Sequence, residues 1–407
     1  MSLIYDWNQI GAPPVPAKVL LADETLRDGL QSTSVRCPTL DEKIAILHLM
    51  EALGMDAADI GLPGAGPQVV ADVERLAQEI DAARLRLRPY CAARTVLSDI
   101  RPIVDIAQRT GQPIEVATFI GSSPIRQFVE DWSIDFLERA TSEAVTFAVA
   151  EGLPVMFVTE DSTRARPDTL RRLYTAAVRA GAARVCVADT VGHATPSGAA
   201  AVTRFVRDLV GELHASEVEI DWHGHRDRGF AVLNSLAALE AGATRVHATA
   251  LGVGERVGNT PMDLLLVNLV MLGYVAARDL VRLREYCEVV ARCYRITIPP
   301  NYPVFGRDAF RTATGVHAAA IAKAYQKEDH ALADTVYSSV PARLVGREQE
   351  VEIGPMSGRS NVTFWLMKRG LPITEAIVDG IFARAKEATA VLDEEEVLAM
   401  VAALRER

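Results

Sequence analysis

The chain has 407 residues, a formal net charge of −10 and 49% hydrophobic residues. That length exceeds one small domain, and the apolar content supports a large core. An acidic balance without a basic block speaks against nucleic acid and anionic membranes as partners, and no apolar run is long enough to span a bilayer.

Residues 1–15 hold Asp6 and two prolines and lack the basic and apolar regions of a secretory signal. Cys37, Cys91, Cys186, Cys287 and Cys293 are scattered and odd in number, with no Cys-x-x-Cys. This usage fits a reducing cytoplasm and argues against a thiolate zinc centre or a disulfide frame. The expected location is cytoplasmic.

From residue 18 to about residue 272 one unit recurs: a short apolar or β-branched run, a turn, then an amphipathic helical stretch. The runs cover 18–23, 57–62, 85–91, 114–120, 154–159, 184–189, 218–223 and 245–251. Eight such runs, spaced by roughly 25 to 40 residues, predict an α/β fold, a (β/α)₈ TIM barrel, over a doubly wound open sheet. The segment 41–53 carries apolar residues at helical spacing and stops at Gly54. Pro167 and Pro196 each stand where a helix opens.

In such a barrel the chemistry sits where strands end and loops begin. After the first run comes Asp23-Glu24-Thr25-Leu26-Arg27-Asp28-Gly29-Leu30-Gln31, and after the third Arg94. The fourth is followed by Ser122-Ser123-Pro124-Ile125-Arg126, the fifth by Glu160-Asp161-Ser162-Thr163-Arg164, and the sixth by Thr190-Val191-Gly192-His193. The seventh runs into His223-Gly224-His225, and the eighth into Gly252-Val253-Gly254-Glu255-Arg256-Val257-Gly258-Asn259.

Residues two apart on a strand share a face, so His223 and His225 can bring two imidazoles to one point. Taken alone, the pair reads equally well as a polar strand end. Strand eight closes against strand one, which brings Asp28 and Asn259 towards the same rim. Two imidazoles and a carboxylate suit a divalent ion such as Zn²⁺, Mn²⁺ or Mg²⁺. Such an ion can grip a 2-oxo acid and polarise its ketone. Arg27, beside Asp28, adds positive charge where an oxyanion would develop. The spacing of Gly252, Gly254 and Gly258 is not that of a dinucleotide loop, and these glycines are expected to let the loop turn closely over a metal.

Past residue 279 the pattern changes. A helix is predicted over 280–290, followed by a proline-rich strap at 298–303 and a segment, 306–317, leading into another helix. The end reads as helical over 376–386 and 393–405. The expected division is a catalytic barrel over 1–278 and small helical C-terminal subdomains over 279–407.

These residues resemble the DRE-TIM metallolyase superfamily. The resemblance is carried by Asp23-x-Thr25-Leu26-Arg27-Asp28-Gly29-x-Gln31, His223-x-His225 and Gly252-x-Gly254-Glu255-Arg256-x-Gly258-Asn259. Glu160-Asp161 with Arg164, Asp189-Thr190-Val191-Gly192, Gly306-x-x-Ala309-Phe310 and Gly315-x-His317 agree in order, so the likeness extends from about residue 18 to 365. Within the superfamily the chain is similar to the synthases of 2-isopropylmalate, citramalate and homocitrate.

The resemblance implies Claisen condensation of acetyl-CoA with a 2-oxo acid. It implies Asp28, His223, His225 and Asn259 as ligands of a divalent metal, and Arg27, Glu160 and His317 as catalytic residues. Gln31, Arg94, Arg126, Arg164 and Thr190 would contact substrate. The appendage of these synthases reaches a partner subunit's site, which implies a homodimer; Tyr337 is a weaker match to an active-site tyrosine. Asn259 could instead cap a helix, Thr190 serve a turn, Glu160 hold Arg164 and His317 lie on a helix surface. His48, His214, His247 and His330 fall in no motif and read as structural. His193 stands near the rim, without an assigned role.

Three departures bear on the substrate. Arg27-Asp28-Gly29-Leu30-Gln31 is the wording of 3-hydroxy-3-methylglutaryl-CoA lyase, but that lyase carries a cysteine in the strand-eight loop where Glu255 and Arg256 stand here. Condensation is therefore preferred over cleavage. Ala117 replaces a histidine usual in isopropylmalate synthases. Arg126 resembles the homocitrate synthase pattern, in which a guanidinium pairs with a second carboxylate of the acceptor, so a 2-oxo acid with a second anionic group is expected; an outward arginine on the following helix is an equal alternative. Full-length isopropylmalate synthases add a leucine-binding domain beyond the region corresponding to residue 407, so no leucine inhibition through such a domain is expected.

Overall fold

Eight parallel strands close on one another in chain order: β1 (Leu20–Asp23), β2 (Ala57–Asp59), β3 (Arg88–Arg94), β4 (Glu115–Gly121), β5 (Val155–Glu160), β6 (Arg184–Asp189), β7 (Glu219–Gly224) and β8 (Arg245–Ala248). The ring closes through β1 and β8, with Leu20 opposite Arg245 and Asp23 opposite Ala248. The computed structural model describes residues 3–276 and 278–405. No helix among them is long and apolar enough to cross a membrane.

Period-two alternation sends one set of side chains into the barrel. Ala22, Ala57, Tyr90, Ala117, Met156 and Cys186 form a buried layer there, one from each of the first six strands. Beneath it the interior is charged. Asp221 accepts from Arg184 Nε at 2.7 Å and Arg245 Nε at 2.6 Å, and Arg245 also reaches Glu115 at 2.6 Å. Buried charges persist only when paired in this way.

The helices begin where their sequences say. Thr39 and Glu42 form a reciprocal capping box at the start of the helix Leu40–Ala52. Proline opens the helices Pro167–Arg179 and Pro196–Glu212, where its missing N–H costs no hydrogen bond. The third strand is shifted from its predicted span: it runs on through Ala92 and Ala93 because they pair with Ala117 and Thr118 of β4. The eighth is shorter, since the chain leaves the sheet for a 3₁₀ turn at Ala250–Gly252 in which Leu251 takes φ 55°.

The described chain divides into two units. One runs through Arg278 and includes Tyr286–Ile296; the other comprises Asp279–Glu285 and the residues from Thr297 onward. Within the first, Tyr286 donates to Asp23 and Tyr294 donates to the Thr25 carbonyl, so the loop after β1 is tied from behind. Burial pushes the Asp23 carboxyl up to about 6.

The second unit holds the helices Gly315–Gln326, His330–Thr335, Arg359–Lys368, Glu375–Glu387 and Glu394–Arg405, with a parallel pair formed by Arg311–Thr312 and Glu350–Val351. Its core gathers Ile353, Val362, Trp365, Leu366, Ile377 and Ile381.

Candidate active site

Where the strands end, a cavity of about 260 Å³ opens. Glu24, Arg27, Asp28, Gln31, Glu160, Thr190, His223, His225, His247 and Glu255 supply its polar lining. Ala92, Ala117, Phe119, Met156, Val158, Cys186 and Ala188 form its apolar wall. Burial holds the Cys186 thiol well above its ordinary range, so it contributes as a neutral side chain.

Asp28 comes from the turn after β1, and His223 and His225 from the end of β7. Asp28 Oδ2 is 3.4 Å from His223 Nε2 and 3.7 Å from His225 Nε2. One ligand atom from each residue falls within 4.8 Å of the others. Ligand atoms about 2.0–2.2 Å from a common divalent ion stand roughly 3.0–3.6 Å apart, so the three are near bonding geometry. Burial, and then the neighbouring His223, lower His225 to about 4, which leaves its imidazole neutral with a lone pair to offer.

Asn259 faces His225 across a β-bridge. Its Nδ2 donates to Val253 O at 3.1 Å, while its buried Oδ1 has no hydrogen-bond partner among the described residues. The buried Nδ1 of His225 has none either. An orphaned buried acceptor such as Asn259 Oδ1 calls for a ligand, so the residues present fit a divalent ion. Asn259 caps no helix; the helix Met262–Met271 is preceded by Pro261.

The loop glycines act by letting the loop pack upon itself. A Cβ on Gly258 would sit 1.8 Å from the Gly252 carbonyl, and one on Gly254 2.2 Å from the Asn259 amide nitrogen. Gly254 thus makes room for the Asn259 side chain. Arg256 latches the loop, pairing with Asp227 at 2.9 Å and donating to Thr190 O at 2.6 Å.

Arg27 is no surface ion pair. It donates to Asp59 Oδ2 at 2.6 Å and to Glu24 Oε1 at 3.2 Å, and stands 3.6 Å from Asp28. Burial would lower the guanidinium, but Asp59, Asp28 and Glu24 hold it well above its ordinary value, hence charged. Glu160 lines the cavity, and burial raises its carboxyl above the usual range against the pull of Arg126. It does not hold Arg164, which pairs with Asp161 at 2.7 Å. Thr190 Oγ1 accepts from the Asp161 N–H at 2.8 Å, which leaves its own proton to donate.

Three arginines expected at substrate are not among the residues that line the cavity, and each pairs with a carboxylate. Arg94 forms a forked pair with Asp99 at 2.7 and 3.0 Å, and Arg164 turns to Asp161. Arg126 pairs with Glu130 at 3.0 Å and lies over the Trp132 ring. Each finds a carboxylate three to five residues away on its own loop or helix, a contact that motif matching does not see. His317 belongs to the second unit, where its ring stacks on Tyr337 with centroids 3.8 Å apart.

Motif reading passed over Glu24, Asp59, Tyr90 and His247. Glu24 Oε2 is 2.8 Å from His223 Nδ1, and Glu24 Oε1 is 3.0 Å from His247 Nδ1. His247, read from the sequence as merely structural, lines the cavity beside His223. The signal was available. Ala22 and Glu24 share a strand face, as do Arg245 and His247, and a polar residue on an inward face at a strand's end belongs to the site.

The HMGL-like family pattern matches residues 18–290. A Methanopyrus kandleri protein named "Probable 2-isopropylmalate synthase" is 35% identical over 378 residues, 92% of this chain and 70% of its own. Homocitrate synthase AksA of the same organism is 32% identical over 376 residues, covering 91% of this chain and 88% of its own. The crystal structure of the Bacillus subtilis HMG-CoA lyase superposes with a TM-score of 0.58 at 19% identity, over 70% of this chain and 97% of that one, a likeness of fold. The barrel, the motif order and the relatives lead to one assignment: the chain belongs to the HMGL-like family and, among DRE-TIM metallolyases, to the branch of 2-isopropylmalate, homocitrate and citramalate synthases.

Proposed function

We propose that the protein condenses acetyl-CoA with a 2-oxo acid whose side group is uncharged, as a 2-isopropylmalate synthase does, to give a 2-hydroxy-2-alkyl dicarboxylic acid. The observation that carries this reading is the meeting of Asp28, His223 and His225 beside Arg27, over a wall of Ala92, Ala117, Met156 and Val158. A divalent cation held by Asp28, His223 and His225, with Asn259 as a further ligand, would supply Lewis acidity at the ketone; zinc, manganese and magnesium all suit the set.

The chain's own residues do the rest. Thr190 donates its hydroxyl proton to the acceptor's carboxylate, and Gln31 closes the same rim. A base removes a proton from the acetyl methyl, a role the family resemblance gives to His317, delivered by the second unit to the site of a partner subunit in a homodimer. The new carbon–carbon bond joins that methyl carbon to the ketone carbon, and the ketone oxygen takes up negative charge beside Arg27. Glu160, whose raised carboxyl favours holding a proton, supplies one to that oxygen. Water then cleaves the thioester and releases the CoA thiol.

The acceptor's side group rests on the apolar wall, where a second carboxylate would be buried without a partner at a cost of several kcal/mol. In a thiol-release assay, 2-oxoisovalerate or pyruvate should therefore exceed 2-oxoglutarate and oxaloacetate in kcat/KM by at least about 10²-fold. Preference for 2-oxoglutarate would contradict this and favour an acceptor gripped by Arg126, whose buried Nε is unpartnered among the described residues. Cleavage of a hydroxyacyl-CoA without any 2-oxo acid would favour a lyase.

A further inference from the structure

From the cavity lining into the barrel interior runs a line of polar side chains. His223 Nδ1 is 2.8 Å from Glu24 Oε2, and the other oxygen of that carboxylate is 3.0 Å from His247 Nδ1, close ionic approaches in which neither Glu24 Oε2 nor His247 Nδ1 is aligned for a hydrogen bond. The far nitrogen of His247 is 2.9 Å from Asp221 Oδ2, and Asp221 is clamped by Arg245 at 2.6 Å and by Arg184. All of these but His223 are almost fully buried. Glu24 is also where Arg27 and the Tyr90 hydroxyl converge, at 3.2 and 3.0 Å on the same oxygen.

The geometry points to Glu24 and His247 as positioning residues of the active site. An imidazole that binds a cation through one nitrogen must keep its proton on the other, and a carboxylate at that second nitrogen fixes both the tautomer and the ring plane. Glu24 meets His223 on the Nδ1 side, so the lone pair of Nε2 is directed at Asp28 and His225. The same carboxylate holds Arg27. One group therefore sets the mutual placement of the cation seat and of the guanidinium that faces the developing oxyanion. His247, backed by Asp221, keeps Glu24 from rotating away. The line ends on Arg245 and Arg184, so its orientation is anchored in the charged layer at the opposite end of the barrel.

This inference rests on the assignment of Asp28, His223 and His225 as the cation seat, and metal titration separates the two. Apo-protein of the full chain, wild type and Glu24→Gln, is titrated with Co²⁺ and with Mn²⁺, following the visible Co²⁺ bands and competition with a chromogenic chelator. Glutamine keeps the shape but not the charge of the carboxylate. We expect wild type to bind one equivalent, and Glu24→Gln to bind about 10–100-fold more weakly with altered Co²⁺ bands, while its melting temperature in chelator stays within a few degrees. A purely structural role would lower the melting temperature and leave the Co²⁺ bands of the folded protein unchanged.

Should Glu24→Gln fail to fold, His247→Gln decides, with weaker Co²⁺ binding and shifted bands expected. A folded variant that binds both ions as wild type does, with the same spectrum, overturns the inference. Wild type that binds neither ion overturns the seat itself.

Discussion

Replacing Arg27 with alanine is expected to lower kcat by about 10²–10³-fold, with a much smaller change in KM for the 2-oxo acid. The guanidinium is fixed before substrate arrives: Asp59 holds Nε at 2.6 Å and Glu24 holds one terminal nitrogen at 3.2 Å. In the proposed reaction it would meet charge on the ketone oxygen without reorganising, so its loss should weigh on turnover more than on binding. Arg27→Lys keeps the charge but cannot reach two carboxylates with one ammonium, so it should recover only part of the rate.

The alanine variant should also lose stability, because Glu24 and Asp59 would be buried without their partner, at a typical cost of about 3–5 kcal/mol. The lower end is expected, since burial already pushes Asp59 up to about 7 and it can take up a proton instead. Steady-state kinetics and denaturant midpoints check both parts. A variant with unchanged kcat would remove Arg27 from the mechanism.

The second large effect concerns His225. His225→Ala should reduce turnover by about 10³-fold or more, and excess divalent metal should not restore it, because a Lewis acid contributes several kcal/mol to such a barrier. Burial would suit His225 to holding a cation, since it lowers the ring to about 4 and leaves the imidazole free of a competing proton near neutrality. Metal content by elemental analysis and kcat with saturating Mn²⁺ test the prediction together. Wild-type turnover in a His225→Ala preparation would contradict it.

Much of this architecture could be read from the chain alone, for a definite reason. Strands buried on both faces write themselves as short apolar runs, and β6 occupies the span that its sequence marks, Arg184–Asp189. Residues as remote as Asp28 and His223 could be brought to one rim because strand order in a closed barrel leaves little choice of neighbours.

What escaped the reading has physical causes too. Ala92 and Ala93 carry no strand propensity and join β3 only through their partners in β4. The helix Arg359–Lys368 contains Val362, Thr363, Phe364 and Trp365, a run without helical preference that tertiary packing of Phe364, Trp365 and Leu366 turns into one. Glu24 and His247 were passed over because a motif names the residues that repeat across a family and is silent about what lies between them. Arg94, Arg126 and Arg164 stand on or next to the loops that a substrate contact would require, and there they pair with Asp99, Glu130 and Asp161.

The proposed chemistry requires that Asp28, His223 and His225 hold one divalent ion at the mouth of the barrel. Crystals grown with Mn²⁺ and measured at its absorption edge test it most directly. The expected result is a single strong anomalous peak per chain, bounded by the Asp28 carboxylate and the Nε2 atoms of His223 and His225. A map without that peak, from protein that still condenses acetyl-CoA with a 2-oxo acid in the presence of Mn²⁺, would contradict the account.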